Sequence, residues 1–391
     1  MLPNAGSTRF DRSTEPFKVV IAGGGVAGLE AALALRELGG EQFETTLLAP
    51  GAEFVYRPTS VGEPFGSGQA QKYPLAEIVR DLGVELRADS FKRLDAASHT
   101  LHTDAGDQLG YDALLLALGA RMQPRFGHAI TIDDARLDER LHGLIQDIEG
   151  GYVDRLAFIA PGRIGWPLPI YELALMTAAR AQDMNIDLSI TIATPEEAPL
   201  AVFGAEASQA VRQLLDENGI TTITSAYCEV PERGHVVISP GRRRLEVDRI
   251  VAVPELYGPA VQGVPAGALG GFIPVDMHCK VPGVEAVYAA GDATDFPIKH
   301  GGIAAQQAGV AAQAIAALAG LADEPAAFHP VIQGILLSGG KPVYLSAKLT
   351  GGHGAGMPVS ETATWSPGTK IAARYLGPYL AGRDRLAGRA L

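Results

Sequence analysis

Cysteine is almost missing: the 391-residue chain has two, Cys228 and Cys279, in no C-x-x-C pattern. Thiols so few and so far apart exclude a disulfide framework and speak against a dithiol redox pair; they suit a reducing cytoplasm. Positive charge is in deficit too. Lys and Arg total 32 against 44 Asp and Glu, a net charge of -12, whereas a nucleic acid partner demands a basic face. Metal-ligand spacing is absent among the nine histidines. His99-x-x-His102 sits in a strand-like alternating stretch, so no metal site is predicted. No window reaches the ~18 uninterrupted apolar residues of a membrane-spanning helix. The nearest, 302–322, is broken by Gln306, Gln307 and Gln313. Residues 1–17 carry Arg9, Asp11, Arg12 and Glu15 without an apolar core, so no signal peptide is expected.

What is present is ordinary globular material, 47% hydrophobic and 19% charged, too long for one core, so two to three domains are expected. After a flexible lead at 1–16, residues 18–22 form a short apolar strand followed at once by Gly23-Gly24-Gly25-Val26-Ala27-Gly28. Helical periodicity continues to about Leu38, Gly39-Gly40 terminates it, and 45–48 is a second strand. Strand, glycine turn, helix and strand within ~30 residues make the βαβ unit that a dinucleotide fingerprint requires. Gly23 permits the tight turn, Gly25 lets the backbone approach a pyrophosphate, and Gly28 lets helix and strand pack closely. The helix N-terminus offers free N–H groups to phosphate. The second strand ends Leu48-Ala49-Pro50 instead of in an acid, and the nearest acid is Glu53. A ribose contact at Pro50 is therefore made differently, or by backbone groups.

Two further strands with a turn fit 86–103, and 111–120 reads as an apolar strand ending in small residues. A second α/β unit starts near Val153, with strands at 156–160 and 187–193 and helices at 171–181 and 205–218. It lies within an inserted domain at 121–271. Residues 287–290 form an apolar strand running into Gly291-Asp292-Ala293, and 303–321 is a long helix. Asp292 is placed to bond the hydroxyls of a ribityl chain. The helix N-terminus near Gly302-Ile303 points its dipole at a flavin's pyrimidine edge, where negative charge develops. That makes the dinucleotide FAD. The fold class is α/β: two Rossmann-like three-layer domains, the first discontinuous (17–120 and 272–325), plus a smaller C-terminal segment at 326–391.

Together these segments resemble the FAD-dependent pyridine nucleotide-disulfide oxidoreductase superfamily over about 17–325. The glycine fingerprint, the strand end Ala117-Leu118-Gly119-Ala120 and the strand end Ala290-Gly291-Asp292 appear in the family's order. The chain looks most like the branch of sulfide:quinone oxidoreductases, flavocytochrome c sulfide dehydrogenases and type II NADH dehydrogenases. Residues 54–60, Phe-Val-Tyr-Arg-Pro-Thr-Ser, are similar to that branch's aromatic-x-x-x-Pro loop. Pro297-Ile298-Lys299-His300-Gly301-Gly302 resembles its Pro-Lys-x-Gly loop beside the flavin, and 167–172 resembles the Tyr-Glu segment of sulfide-oxidising members. With that loop beside the flavin, Lys299 is the candidate charge that stabilises an anionic reduced form, His300 a candidate proton relay to the flavin or a substrate, and Trp166 a candidate wall over the flavin or the substrate pocket.

Departures from the family pattern narrow this. Trp166 stands where sulfide-oxidising relatives keep a redox cysteine, and no cysteine follows Cys279, so a cysteine relay is not expected. Arg57 stands where the flavocytochrome relatives attach FAD covalently, which implies non-covalent FAD. In the second unit, Ala160-Pro161-Gly162-Arg163-Ile164-Gly165 lacks the full fingerprint, and Pro161, Pro167 and Pro169 fall where a phosphate-binding helix should start. NAD(P)H binding there stays open. The expected function is transfer of two electrons from a small donor to quinone or another acceptor. A type II NAD(P)H dehydrogenase and a flavin-binding regulatory protein are the alternatives. In the tail, Ile371, Tyr375 and Tyr379 recur at helical spacing among Lys370, Arg374, Arg383, Arg385 and Arg389. Such a helix either docks on the chain's own FAD-binding domain or a homodimer partner, or touches a membrane surface peripherally.

Overall fold

Strand Phe17–Ala22 holds the centre of a five-stranded parallel sheet in the order Val287–Ala289, Ala113–Leu116, Phe17–Ala22, Phe43–Leu48, Glu85–Arg87. The computed structural model describes residues 15–132, 137–268, 270–350, 353–356 and 359–388; most of the lead at 1–16, and Arg389, lie outside them. All four residues of Ala113–Leu116 are buried, which is why the run shows no alternation: helices cover a parallel sheet on both faces. The helices are α1 (Val26–Gly39), α2 (Leu75–Leu82), α3 (Leu137–Glu149), α4 (Leu168–Asp183), α5 (Ala205–Glu217), α6 (Gly301–Leu318) and α7 (Leu376–Leu386). Small buried residues, Ala27, Ala31 and Ala34 on α1 and Ala304, Ala308 and Ala311 on α6, belong to one core cluster with the sheet. Alanines at these positions let α1 and α6 pack closely against each other.

A second parallel sheet of five strands runs Ile130–Thr131, Arg249–Ala252, Arg155–Ile159, Ser189–Ala193, Thr221–Ile223. Both sheets of the expected α/β class are present. The C-terminal segment divides between them. Its antiparallel strands Val331–Leu336, Val343–Thr350 and His353–Gly356 place Ile332, Leu336 and Leu345 in the core of the second unit. Its helix α7 places Leu376 and Leu380 in the core of the first. The tail thus docks on the chain's own first unit, and α7 lies against α1.

Several boundaries differ from the sequence reading. The strand expected over 111–120 ends at Leu116 because Gly119 sits at φ 70, off the extended path. Residues 86–103 contribute to three strands, Glu85–Arg87, Phe91–Asp95 and Thr100–Thr103. Helix α4 begins at Leu168, three residues before the expected start, with prolines at the end positions where a missing N–H is tolerated. The tail helix begins only at Leu376: the Ile371 N–H is committed to the Tyr56 hydroxyl at 2.9 Å. No helix among the described residues is long and apolar enough to cross a membrane.

Candidate functional site

A cavity of about 640 Å³ starts at the glycine turn of the first sheet and reaches α4 and the C-terminal segment. Of the residues expected from sequence, Gly23, Gly25, Pro50, Arg57, Ala117, Gly119, Trp166, Gly291, Asp292, Lys299 and His300 line it. Gly28, Gly302 and Ile303 do not.

The glycine turn shows a division of labour. Gly23 has φ 124, and a Cβ there would lie 2.1 Å from the Ala117 carbonyl oxygen; at Gly28 it would lie 1.8 Å from the Gly23 oxygen. Both glycines are demanded by backbone contact alone. At Gly25 a Cβ would meet nothing within 4 Å, so that position faces open cavity. Gly25 is the N-cap of α1 without a side-chain cap, which leaves the first-turn N–H groups for a ligand. This cradle fits a pyrophosphate. Pro50 and Glu53 line the same end. Beyond the cradle, Gly291 turns the chain at φ 77, and its N–H donates to Gln307 Oε1 at 2.8 Å. Asp292 is thereby presented, half-buried, on the cavity wall. These residues fit FAD: a phosphate cradle at one end and a carboxylate partway along.

The far end carries the titratable groups. Lys299 is buried; its Nζ donates to the Thr294 carbonyl at 2.5 Å and stands 3.8 Å from the Phe272 ring centroid. Burial lowers its pKa to about 8, against the opposing pull of Asp292 and Asp295. His300 caps α6: its Nδ1 accepts the Gly302 N–H at 3.2 Å, which places the ring proton on Nε2. Burial, with the Lys370 ammonium nearby, lowers its pKa to about 4, so the imidazole is neutral at pH 7. The cap also explains why Gly302 does not face the cavity: its N–H is spent on His300, and Ile303 turns into the core. Gly301 and Ala304 line the cavity in their place. The Trp166 ring lies 4.5 Å from the His300 ring and 5.9 Å from Phe203.

Sequence reading missed the pair that closes this end. Lys370 Nζ donates to Glu172 Oε1 at 2.6 Å, and the Leu337 N–H donates to the same oxygen at 2.9 Å. Both side chains line the cavity. Burial pushes the Glu172 carboxyl up while the Lys370 ammonium pulls it back down. Glu172 lies in the Tyr-Glu segment and Lys370 in the basic tail, but nothing in the sequence couples them. Neither cysteine lines the cavity. Burial pushes both thiols up to about 12, far from thiolate reactivity. Among the described residues no cluster of His, Cys, Asp or Glu could hold a metal ion.

Residues 17–314 match the sequence model of the family described as pyridine nucleotide-disulphide oxidoreductase. An NADH dehydrogenase-like protein of Mycobacterium tuberculosis is 25% identical over 295 residues, 70% of this chain and 72% of that protein. The ferredoxin–NAD(+) reductase component of the biphenyl dioxygenase system of Paraburkholderia xenovorans is 26% identical over 303 residues, 73% of this chain and 69% of that one. Among solved structures, sulfide:quinone oxidoreductase from Aquifex aeolicus superposes with a TM-score of 0.77 at 19% identity, covering 88% of this chain and 86% of that chain.

Proposed function

The chain belongs to the pyridine nucleotide-disulphide oxidoreductase family, and from that premise we propose that this FAD-dependent oxidoreductase moves two electrons from a small donor to quinone or another acceptor, through non-covalent FAD and without a cysteine relay. The observation that carries the reading is the continuity of one cavity. It joins the open cradle at Gly25 and the Asp292 carboxylate to a chamber walled by Trp166 and the Glu172–Lys370 pair, with no thiol on its surface. Bound FAD supplies a two-electron carrier. The chain's own residues hold it, set the charge around it and exclude water.

Asp292 is the proposed anchor of the ribityl hydroxyls, and the free N–H groups at the start of α1 the anchor of the phosphates. Lys299 keeps a positive charge on the cavity wall below about pH 8, where negative charge is worth stabilising. His300, neutral and held by its cap, offers Nε2–H as a fixed donor. Beyond it, Leu168, Leu173 and Ile335 give the chamber apolar walls beside one ion pair, an environment suited to a planar acceptor with a polar edge. The relatives named for NADH and for quinone support an oxidoreductase of this kind.

The experiment is to load the protein with FAD, reduce it anaerobically with dithionite, and mix it with a short-chain quinone. Reoxidation that saturates with quinone concentration is expected. A protein that stays colourless after incubation with FAD sinks the flavin reading, and reoxidation by oxygen alone sinks the acceptor half.

A further inference from the structure

We propose that the second parallel sheet of this chain receives no pyridine nucleotide, and that the loop from strand Arg155–Ile159 into α4 has become a wall of the flavin cavity. The reductant is then a compact molecule that enters the cavity itself. The inference rests on the flavin reading above and specifies its donor.

A strand-to-helix loop occurs in both units, short in the first, where α1 starts at Val26, and longer in the second, where α4 starts only at Leu168. In the first, a Cβ at Gly25 meets open space. In the second, a Cβ at Gly162, the third residue past the strand as Gly25 is in the first, would lie 3.4 Å from the Tyr227 ring, and further along the loop one at Gly165 would lie 2.8 Å from Lys299 Cγ. The Tyr227 ring thus borders the place that stands open at Gly25, and the Lys299 side chain packs against the end of the loop. Donors at the start of α4 are fewer as well. Pro161, Pro167 and Pro169 carry no N–H, and the Ile170 N–H donates to the Pro167 carbonyl at 3.1 Å. A helix N-terminus holds phosphate through such groups. The loop's one cation, Arg163, is bound to Glu255 at 3.0 Å and lies over the Tyr257 ring.

The first of the two acids that follow the second strand of the unit is occupied too. Glu196, just past Ser189–Ala193, accepts the Tyr171 hydroxyl at 2.7 Å and the Thr194 hydroxyl at 3.0 Å. In a nucleotide-binding unit an acid near this place takes a ribose hydroxyl; here a tyrosine takes its place. The loop is also tied to the first unit, because the Gly165 carbonyl accepts the Lys299 N–H at 3.0 Å. That bond sets Trp166 on the cavity wall.

The test uses the FAD-loaded protein. Calorimetric titration with NAD+ and NADP+ is expected to give no binding tighter than about 1 mM. Anaerobic NADH and NADPH are expected to leave the flavin absorbance unchanged, while dithionite bleaches the same sample. Binding in the micromolar range, with or without bleaching, overturns the proposal. The cavity route is read with 1-benzyl-1,4-dihydronicotinamide, a phosphate-free donor that gives up a hydride and leaves as the pyridinium. Bleaching that saturates supports entry through the cavity, and no bleaching overturns it. If dithionite finds no flavin, the flavin reading has failed on its own, and the NAD+ titration still decides whether the second sheet holds nucleotide.

Discussion

The ammonium of Lys370 sits 2.6 Å from the Glu172 carboxylate across a sequence separation of 198 residues. The side chains are 9% and 2% exposed. The pair fastens the C-terminal segment to α4 at the cavity wall. Removing one partner leaves a buried charge uncompensated, which typically costs about 3–5 kcal/mol. Glu172→Gln and Lys370→Met should each lose stability on that scale in urea unfolding. The double variant should lose much less than the sum. Single costs below about 1 kcal/mol, the range of an exposed pair, would show that the two charges are solvated and not a fastening.

Lys299 gives the cavity a pH dependence with a definite sign. Burial lowers its pKa from 10.5 to about 8. The fold therefore bears a charge-burial penalty below pH 8, and the penalty is relieved as pH rises from 8 to 10.5. Above pH 8 the positive charge on the cavity wall disappears. The midpoint potential of the bound flavin should show a change of slope near pH 8. Lys299→Met should abolish it and lower the potential at pH 7 by roughly 20–60 mV, the equivalent of about 1–3 kcal/mol. An unaltered slope in the variant would assign the titration to another group.

The part of the site that backbone geometry demands was legible in the sequence. Gly23 and Gly28 are required by carbonyl oxygens that would lie 2.1 and 1.8 Å from any Cβ, and such a demand leaves one residue type to read. The place of Asp292 on the cavity wall was legible because an apolar strand ends in front of it. The long-range pairings were not. Glu172 and Lys370 meet only because the C-terminal segment splits, its strands on the second unit and its helix on the first. Glu196 is drawn from the surface by Tyr171, which no local pattern announces. Gly302 and Ile303 were read as facing the flavin because a helix starts there. His300 had already taken the N–H that mattered, and histidine is not among the usual capping residues.

Two glycines of one turn should fail in opposite ways. Gly25→Ala adds a methyl where nothing lies within 4 Å, at φ -87, so the apoprotein should unfold at nearly the wild-type urea concentration. FAD binding should weaken, because the methyl occupies the cradle. Gly28→Ala drives a Cβ onto the Gly23 oxygen, so it should destabilise the apoprotein itself by about 1–3 kcal/mol. Equal effects on both readouts would erase the distinction between cradle and packing glycine.

Asp292→Ala tests the carboxylate partway along the cavity. Losing a hydrogen bond to a charged group is worth about 1.5–3 kcal/mol, so FAD affinity should fall roughly 10- to 100-fold. Flavin-to-protein ratio after gel filtration measures it. Unchanged occupancy would remove the ribityl assignment from this residue.

Glu30 is a carboxylate 1% exposed within the apolar face of α1, and its role is to start another helix. Its oxygens accept the Tyr375 N–H at 3.0 Å and the Leu376 N–H at 2.6 Å, the donors left unpaired where α7 begins. Burial raises its pKa, and these backbone bonds oppose the rise. A cap supplied from a different element should hold the tail down as well as stabilise a helix end. Glu30→Ala should therefore cost about 2 kcal/mol and expose the chain to trypsin after Arg374, while Glu30→Gln, which keeps one acceptor oxygen, should lose about half as much. If the alanine variant loses stability yet its tail resists trypsin as the wild type does, α7 is held by the Leu376 and Leu380 packing alone, and the carboxylate is only a satisfied core acid.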